Sequence, residues 1–182
     1  MDEMDQAEPL PRLSGEPVAH PGCCLGLSET LLDHLHSILP PPPGRILSIG
    51  SGYGLLEALL LAPPFSLNVT GVEVYPSSNR FLPIDHHNVV SGTRFLDEEA
   101  GSYHAWLFVY PRRVGLITEY IHNYGKENEN VKTIVWAGPQ ADWEDYSSCF
   151  GEQWQVKTFS AEEFGGRAWE LLAIAKRVQA ER

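Results

Sequence analysis

The sequence predicts an α/β protein: a mostly parallel sheet of seven strands or slightly fewer, with helices on both faces and an antiparallel strand at the carboxyl-terminal end. Three observations predict it. Short apolar runs alternate with helical patterns from Arg45 to Ala137, as a parallel sheet covered on both faces requires. The first of those runs passes through closely spaced glycines straight into a leucine-rich helix. Two further strand patterns, Gln155–Phe159 and Trp169–Lys176, flank the Gly165-Gly166 turn region as an antiparallel pair.

Residues 1–24 are expected to be poorly ordered. They open on Met1-Asp2-Glu3-Met4-Asp5 and carry Pro9, Pro11, Gly15, Pro17 and Pro21, which bury too little apolar surface to offset the entropy of ordering. Residues 25–182 then form one domain, for which a chain of 182 residues suffices. The spacing predicts a helix over Ser28–Leu39: Ser28 caps it, Leu31, Leu32, Leu35, Ile38 and Leu39 recur on one face, and Pro40–Pro43 stop it.

Arg45–Gly50 reads as a strand with Ile46, Leu47 and Ile49 buried, and Leu55–Ala62 as a helix ended by Pro63-Pro64. Leu67–Tyr75 is a strand carrying Val69, Val72 and Val74, and Asn88–Ser91 a short one. The proline-broken stretch between them is too short for a full crossover helix. Ala105–Tyr110 is a strongly apolar strand, Val114–Tyr124 a helix, and Val131–Ala137 a further strand.

Composition narrows the functional classes. Apolar residues at 43% and aromatics at 10% are those of a globular protein. A net charge of -11 with no Lys/Arg cluster argues against nucleic acid as the main partner, because a protein that grips phosphates presents a basic face. Cys23, Cys24 and Cys149 give neither a disulfide framework nor zinc-site spacing, and read as free thiols. No stretch is long and apolar enough to span a membrane and no secretory signal opens the chain, so a cytoplasmic protein is expected, with a nuclear one left open.

The strongest motif is Arg45-Ile46-Leu47-Ser48-Ile49-Gly50-Ser51-Gly52-Tyr53-Gly54-Leu55. Gly50, Gly52 and Gly54 let the backbone turn tightly and approach a ligand, since no Cβ intervenes. About twenty residues on, at the end of the second strand, Glu73 offers a carboxylate to the two hydroxyls of a ribose. A dinucleotide site prefers Gly-x-Gly-x-x-Gly, whereas this loop is Gly-x-Gly-x-Gly, which opposes a nicotinamide-dependent oxidoreductase.

The loop and its acid resemble motif I and the following strand of the Rossmann-like class I S-adenosylmethionine-dependent methyltransferases, and the resemblance runs from Leu31 to Lys176. It implies S-adenosyl-L-methionine as cofactor and methyl transfer to a small-molecule or protein acceptor. By the same resemblance Gly50, Ser51, Gly52 and Gly54 line the methionine moiety, Glu73 holds the ribose, and Gly92 and Thr93 lie near the adenine. The chain departs from the family where an acid in the first strand is replaced by Ser48, an Asp after glycine by Thr93, and an Asp near the fourth strand by His104. These departures motivate an alternative, a catalytically inactive methyltransferase-like binding or scaffold protein whose acidic N-terminal segment docks a protein partner.

Methyl transfer from a sulfonium needs alignment more than acid–base machinery, so the absence of a triad decides nothing. Tyr110, at the end of the fourth strand where the acceptor should sit, and His86 are the candidate catalytic residues. Arg112 and Arg113 are candidates for an anionic acceptor. No metal site is expected: adjacent residues such as His86 and His87 point to opposite faces of an extended segment. Asp142, Glu144 and Asp145 read as acids of a short helix that includes Trp143 and Tyr146.

Overall fold

The helix expected after Ser28 forms as α1 (Glu29–Ile38) in a computed structural model that describes residues 8–126 and 130–179. Ser28 Oγ accepts from Leu31 N at 3.0 Å and donates to Gly165 O at 2.7 Å, so the cap also ties the helix to the far end of the chain. The Met1–Asp5 acidic run lies outside the described residues.

One boundary is corrected. Part of the segment expected to be disordered pairs as a hairpin, β1 (Val18–His20) with β2 (Cys23–Leu27), turning at Gly22 with φ +73°. Local composition gave no sign of it because distant contacts supply the order. Gly26 N donates to the Glu170 carboxylate at 3.1 Å, and Arg167 Nη2 donates to Cys24 O. Leu25 and Leu27 are fully buried beneath it.

The remaining elements follow the alternation read from the sequence. They are β3 (Arg45–Ile49), α2 (Leu55–Leu61), β4 (Asn68–Val74), β5 (His87–Val90), β6 (Ala105–Val109), α3 (Val114–Tyr124), β7 (Thr133–Pro139), α4 (Trp143–Ser147), β8 (Trp154–Ser160), α5 (Ala161–Phe164) and β9 (Glu170–Arg177). Only a 3-10 turn at Ile84–His86 precedes β5. The seven-stranded sheet has the order β5-β4-β3-β6-β7-β9-β8, parallel from β5 to β7, with β9 antiparallel to both β7 and β8. Between β8 and β9 the Gly165-Gly166 turn is preceded by α5, which carries a capping box of Ser160 and Glu163.

Strand alternation divides the core in two. Ile46 on β3 packs with Leu31, Leu35, Leu56, Leu60 and Leu107 under α1 and α2, while Leu47 and Ile49 join Trp106, Phe108 and Tyr120 under α3. Trp136 packs against both Trp143 and Tyr146 in tilted ring contacts, with centroids 5.1 and 5.3 Å away, so those aromatics fill the core beneath α4. The strand order reverses direction of growth between β3 and β6. A crevice therefore opens there, outside the carboxyl ends of the strands.

Candidate functional site

The glycine loop fills the floor of that crevice. Gly50 N and Ser51 N both donate to Val72 O, at 2.8 and 3.1 Å, which pins the turn against β4. Gly50 has φ +81°, and a Cβ built on it would meet nothing within 4 Å, so its main chain is bare toward the cleft. Gly52 has φ +58°, and a Cβ there would sit 2.8 Å from Gly22 O of the hairpin. The hairpin turn thus roofs one end of the loop, with the Tyr53 ring packed over Gly22.

Glu73 reaches back from β4 to the same loop. Gly52 N donates to Oε2 at 2.8 Å and Val74 N to Oε1 at 2.9 Å. Each carboxylate oxygen has two lone-pair directions, and each has used one. Two acceptor directions remain in a half-exposed side chain on the cleft wall, which suits a vicinal diol.

The cleft has a volume of about 1060 Å³. Of the residues singled out in the sequence, Gly50, Ser51, Gly52, Glu73, Gly92, Thr93 and Tyr110 all border it. Two do not. Gly54, with φ +77°, turns toward Asn79 and Leu82, where a Cβ would lie 2.8 and 2.9 Å from their side chains; its glycine serves packing at the start of α2 rather than ligand approach. His86 sits in the turn before β5 with Nδ1 2.9 Å from Val69 O, away from the cleft, because the short connection folds back on β4.

Tyr110 ends β6 in the left-handed region at φ +47°, rare for a residue with a side chain. Its N–H donates to Ala137 O at 2.7 Å and its hydroxyl to Glu170 Oε1 at 2.9 Å. Burial, reinforced by the Glu170 carboxylate, pushes the phenol up to about 12, so Tyr110 is a neutral, fixed hydroxyl rather than a base. Glu170 is buried and also pairs with Arg167 at 2.7 Å, so one carboxylate joins β9, β6 and the hairpin.

The two arginines after Tyr110 differ. Arg113 is committed to Glu119, at 2.8 Å, and to Thr93 O, also at 2.8 Å, which fixes the loop that follows β5. Arg112 is exposed at the cleft mouth.

Sequence reasoning missed two carboxylates. Glu170 opens an apolar strand, and Glu57 interrupts the leucines of α2. Glu57 is only 3% exposed, borders the cleft, and accepts from Ser48 Oγ at 2.6 Å. An acid in the midst of Leu55, Leu56, Ala58, Leu59 and Leu60 was the available signal. The hairpin residues His20, Gly22 and Cys23 also border the cleft and had no such signal.

No protein-family model matches the sequence, and no curated protein matches it. Solved structures do match in fold. The methyltransferase domain of a bacterial Hen1 protein superposes with a TM-score of 0.57 at 16% identity, covering 81% of this chain and 95% of that one. A predicted O-methyltransferase from Agrobacterium tumefaciens gives 0.53 at 15% identity over 84% of this chain and 82% of that one. A Rossmann-superfamily protein from Streptococcus agalactiae gives 0.51 at 14% identity, with 87% and 72% covered. With its strand order, its antiparallel β9 and its cleft at the end of β3, this chain has the Rossmann-like class I methyltransferase fold.

Proposed function

We propose that this chain is an S-adenosyl-L-methionine-dependent methyltransferase that acts on a small-molecule or protein acceptor. One observation carries the reading: the bare main chain of Gly50 and the two unused acceptor directions of Glu73 face the same cleft. The residues fit the cofactor. Glu73 would accept from the ribose hydroxyls, the Gly50–Gly52 backbone would lie against the methionine part, and Gly92 and Thr93, which border the same cleft, would take the adenine end. When bound, the cofactor supplies an electrophilic methyl group.

The chain's own contribution is alignment. Tyr110 and Arg112 border the acceptor side at the end of β6, and the rigid Tyr110–Glu170–Arg167 network holds that wall in place. No helix among the described residues is long and apolar enough to cross a membrane, and a cytoplasmic enzyme is part of this reading.

Calorimetric titration with S-adenosylmethionine and S-adenosylhomocysteine tests it. Saturable binding of both is expected. No heat and no thermal shift at millimolar ligand would overturn it. Transfer of labelled methyl from bound cofactor to a fractionated extract then separates an enzyme from an inactive binding protein.

A further inference from the structure

The most unusual group in the cleft is Glu57. It lies on α2 immediately beyond the glycine loop, and its only charged neighbour of note is another acid, Glu73 on β4. Ser48 Oγ on β3 donates to it at 2.6 Å. From the hairpin, Cys23 adds a thiol whose pKa burial pushes up to about 12, so it is neutral across the physiological range. Among the described residues no lysine or arginine pairs with Glu57.

Burying a carboxylate without a cation is costly, and a purely structural position between Leu56 and Ala58 would be filled better by leucine. The group nevertheless borders the cleft, as do the glycine loop, the hairpin residue Cys23 and Glu73. Among the described residues its hydrogen-bond partners are neutral donors, the Ser48 hydroxyl and its own backbone N–H. The complement it lacks is a positive charge, and S-adenosylmethionine carries two, the sulfonium and the α-ammonium, both at the end of the molecule that the Gly50–Gly52 backbone would face.

We infer that Glu57 is the counter-charge for the methionine end of the cofactor, and that it becomes a carboxylate as the cofactor binds, giving up its proton to solvent. This rests on the functional reading above. In the free protein, burial, with Glu73 adding repulsion, pushes the carboxyl up to about 7, against the lowering effect of the Ser48 hydrogen bond. Near neutrality a substantial fraction of the free protein therefore holds that proton. A ligand that binds the ionised form better must displace it.

The test is titration of the whole chain with S-adenosylmethionine from about pH 6 to about pH 8, in two buffers of different ionisation enthalpy, for the wild type and Glu57→Gln. The wild type should release a fraction of a proton on binding, seen as a buffer-dependent heat. Its affinity relative to Glu57→Gln should rise by about tenfold across that range, because the variant retains the ligand's own titration but not that of Glu57. S-adenosylhomocysteine, which lacks the sulfonium charge, reports which cation is read: an equal loss for both ligands in the variant assigns the ammonium, and a larger loss for S-adenosylmethionine the sulfonium. Binding with buffer-independent heat, and a wild-type-to-variant ratio that is flat in pH, would overturn the assignment and leave the proposed function standing. No binding by the wild type would overturn both. The proton-release measurement needs no variant, so a Glu57→Gln chain that fails to fold leaves the assignment open to refutation.

Discussion

The backbone N–H of Gly52 donates to Glu73 Oε2 at 2.8 Å, so the acid expected to grasp a ribose also clamps the loop expected to cradle the rest of the cofactor. Loss of the side chain therefore removes a ligand partner and loosens the turn together. Glu73→Ala is expected to weaken S-adenosylmethionine binding by roughly 10- to 100-fold, the equivalent of ~1.5–3 kcal/mol for hydrogen bonds to a charged group. Glu73→Gln, which keeps one acceptor oxygen, should fall between the two. Calorimetric affinities read both, and unchanged affinity in Glu73→Ala would place the ribose elsewhere.

The two cleft-facing glycines should fail differently. At Gly50 there is room for a side chain but φ is +81°, so Gly50→Ala carries only backbone strain of ~1–2 kcal/mol, a fall in melting temperature of about 2–8 °C. At Gly52 a Cβ meets main-chain Gly22 O at 2.8 Å, and backbone does not yield as a flexible side chain does. Gly52→Val should displace the hairpin turn, abolish cofactor binding and lower the melting temperature further. Thermal denaturation with and without ligand distinguishes the pair.

The strand–glycine–helix turn and Glu73 were legible in the sequence because their signals are local: an apolar run, alternate glycines, and an acid at the end of the next strand. The β1–β2 hairpin was not, since its partners are Glu170 and Arg167, more than a hundred positions away, with 144 between Gly26 and Glu170. Gly54 satisfies the same motif spacing as Gly50 yet faces Asn79 and Leu82, a difference of direction that spacing does not encode. His86 failed for a similar reason: the 3-10 turn that carries it folds against Val69 and leaves the cleft to its neighbours.

Glu170 is the fastening of that hairpin. Its carboxylate accepts from Gly26 N, Tyr110 Oη and Arg167, and the side chain is fully buried. Glu170→Ala strands the Arg167 charge and three further donors, Gly26 N, Tyr110 Oη and Arg167 N, and is expected to cost ~3–5 kcal/mol. Tyr110→Phe removes one donor and leaves the ion pair, so ~1–2 kcal/mol is expected. Amide exchange at Gly26 should accelerate strongly in Glu170→Ala and little in Tyr110→Phe. Equal protection in both variants would mean that the Glu170 carboxylate does not hold the hairpin, leaving Leu25, Leu27 and the Arg167–Cys24 contact to do so.

Glu57 gives a pH dependence of stability whose sign opposes that of most acids. Its folded-state pKa is raised, from 4.5 to about 7, chiefly by burial. Between those values the native state holds a proton that the unfolded chain has lost, so the contribution of this group to stability is complete below about pH 4.5 and declines as pH rises through about 7. The full decline corresponds to on the order of 3 kcal/mol. Glu57→Gln keeps the size of the side chain without the charge, and its amide oxygen can still accept from Ser48. The difference in unfolding free energy, variant minus wild type, should therefore increase from about pH 5 to about pH 8, making the variant the more stable protein at the alkaline end while it binds S-adenosylmethionine less well. Denaturant unfolding of both proteins at each pH measures this difference directly. A difference independent of pH would show that the Glu57 carboxyl ionises in the native state as readily as in the unfolded chain, and that solvent already reaches it without a ligand.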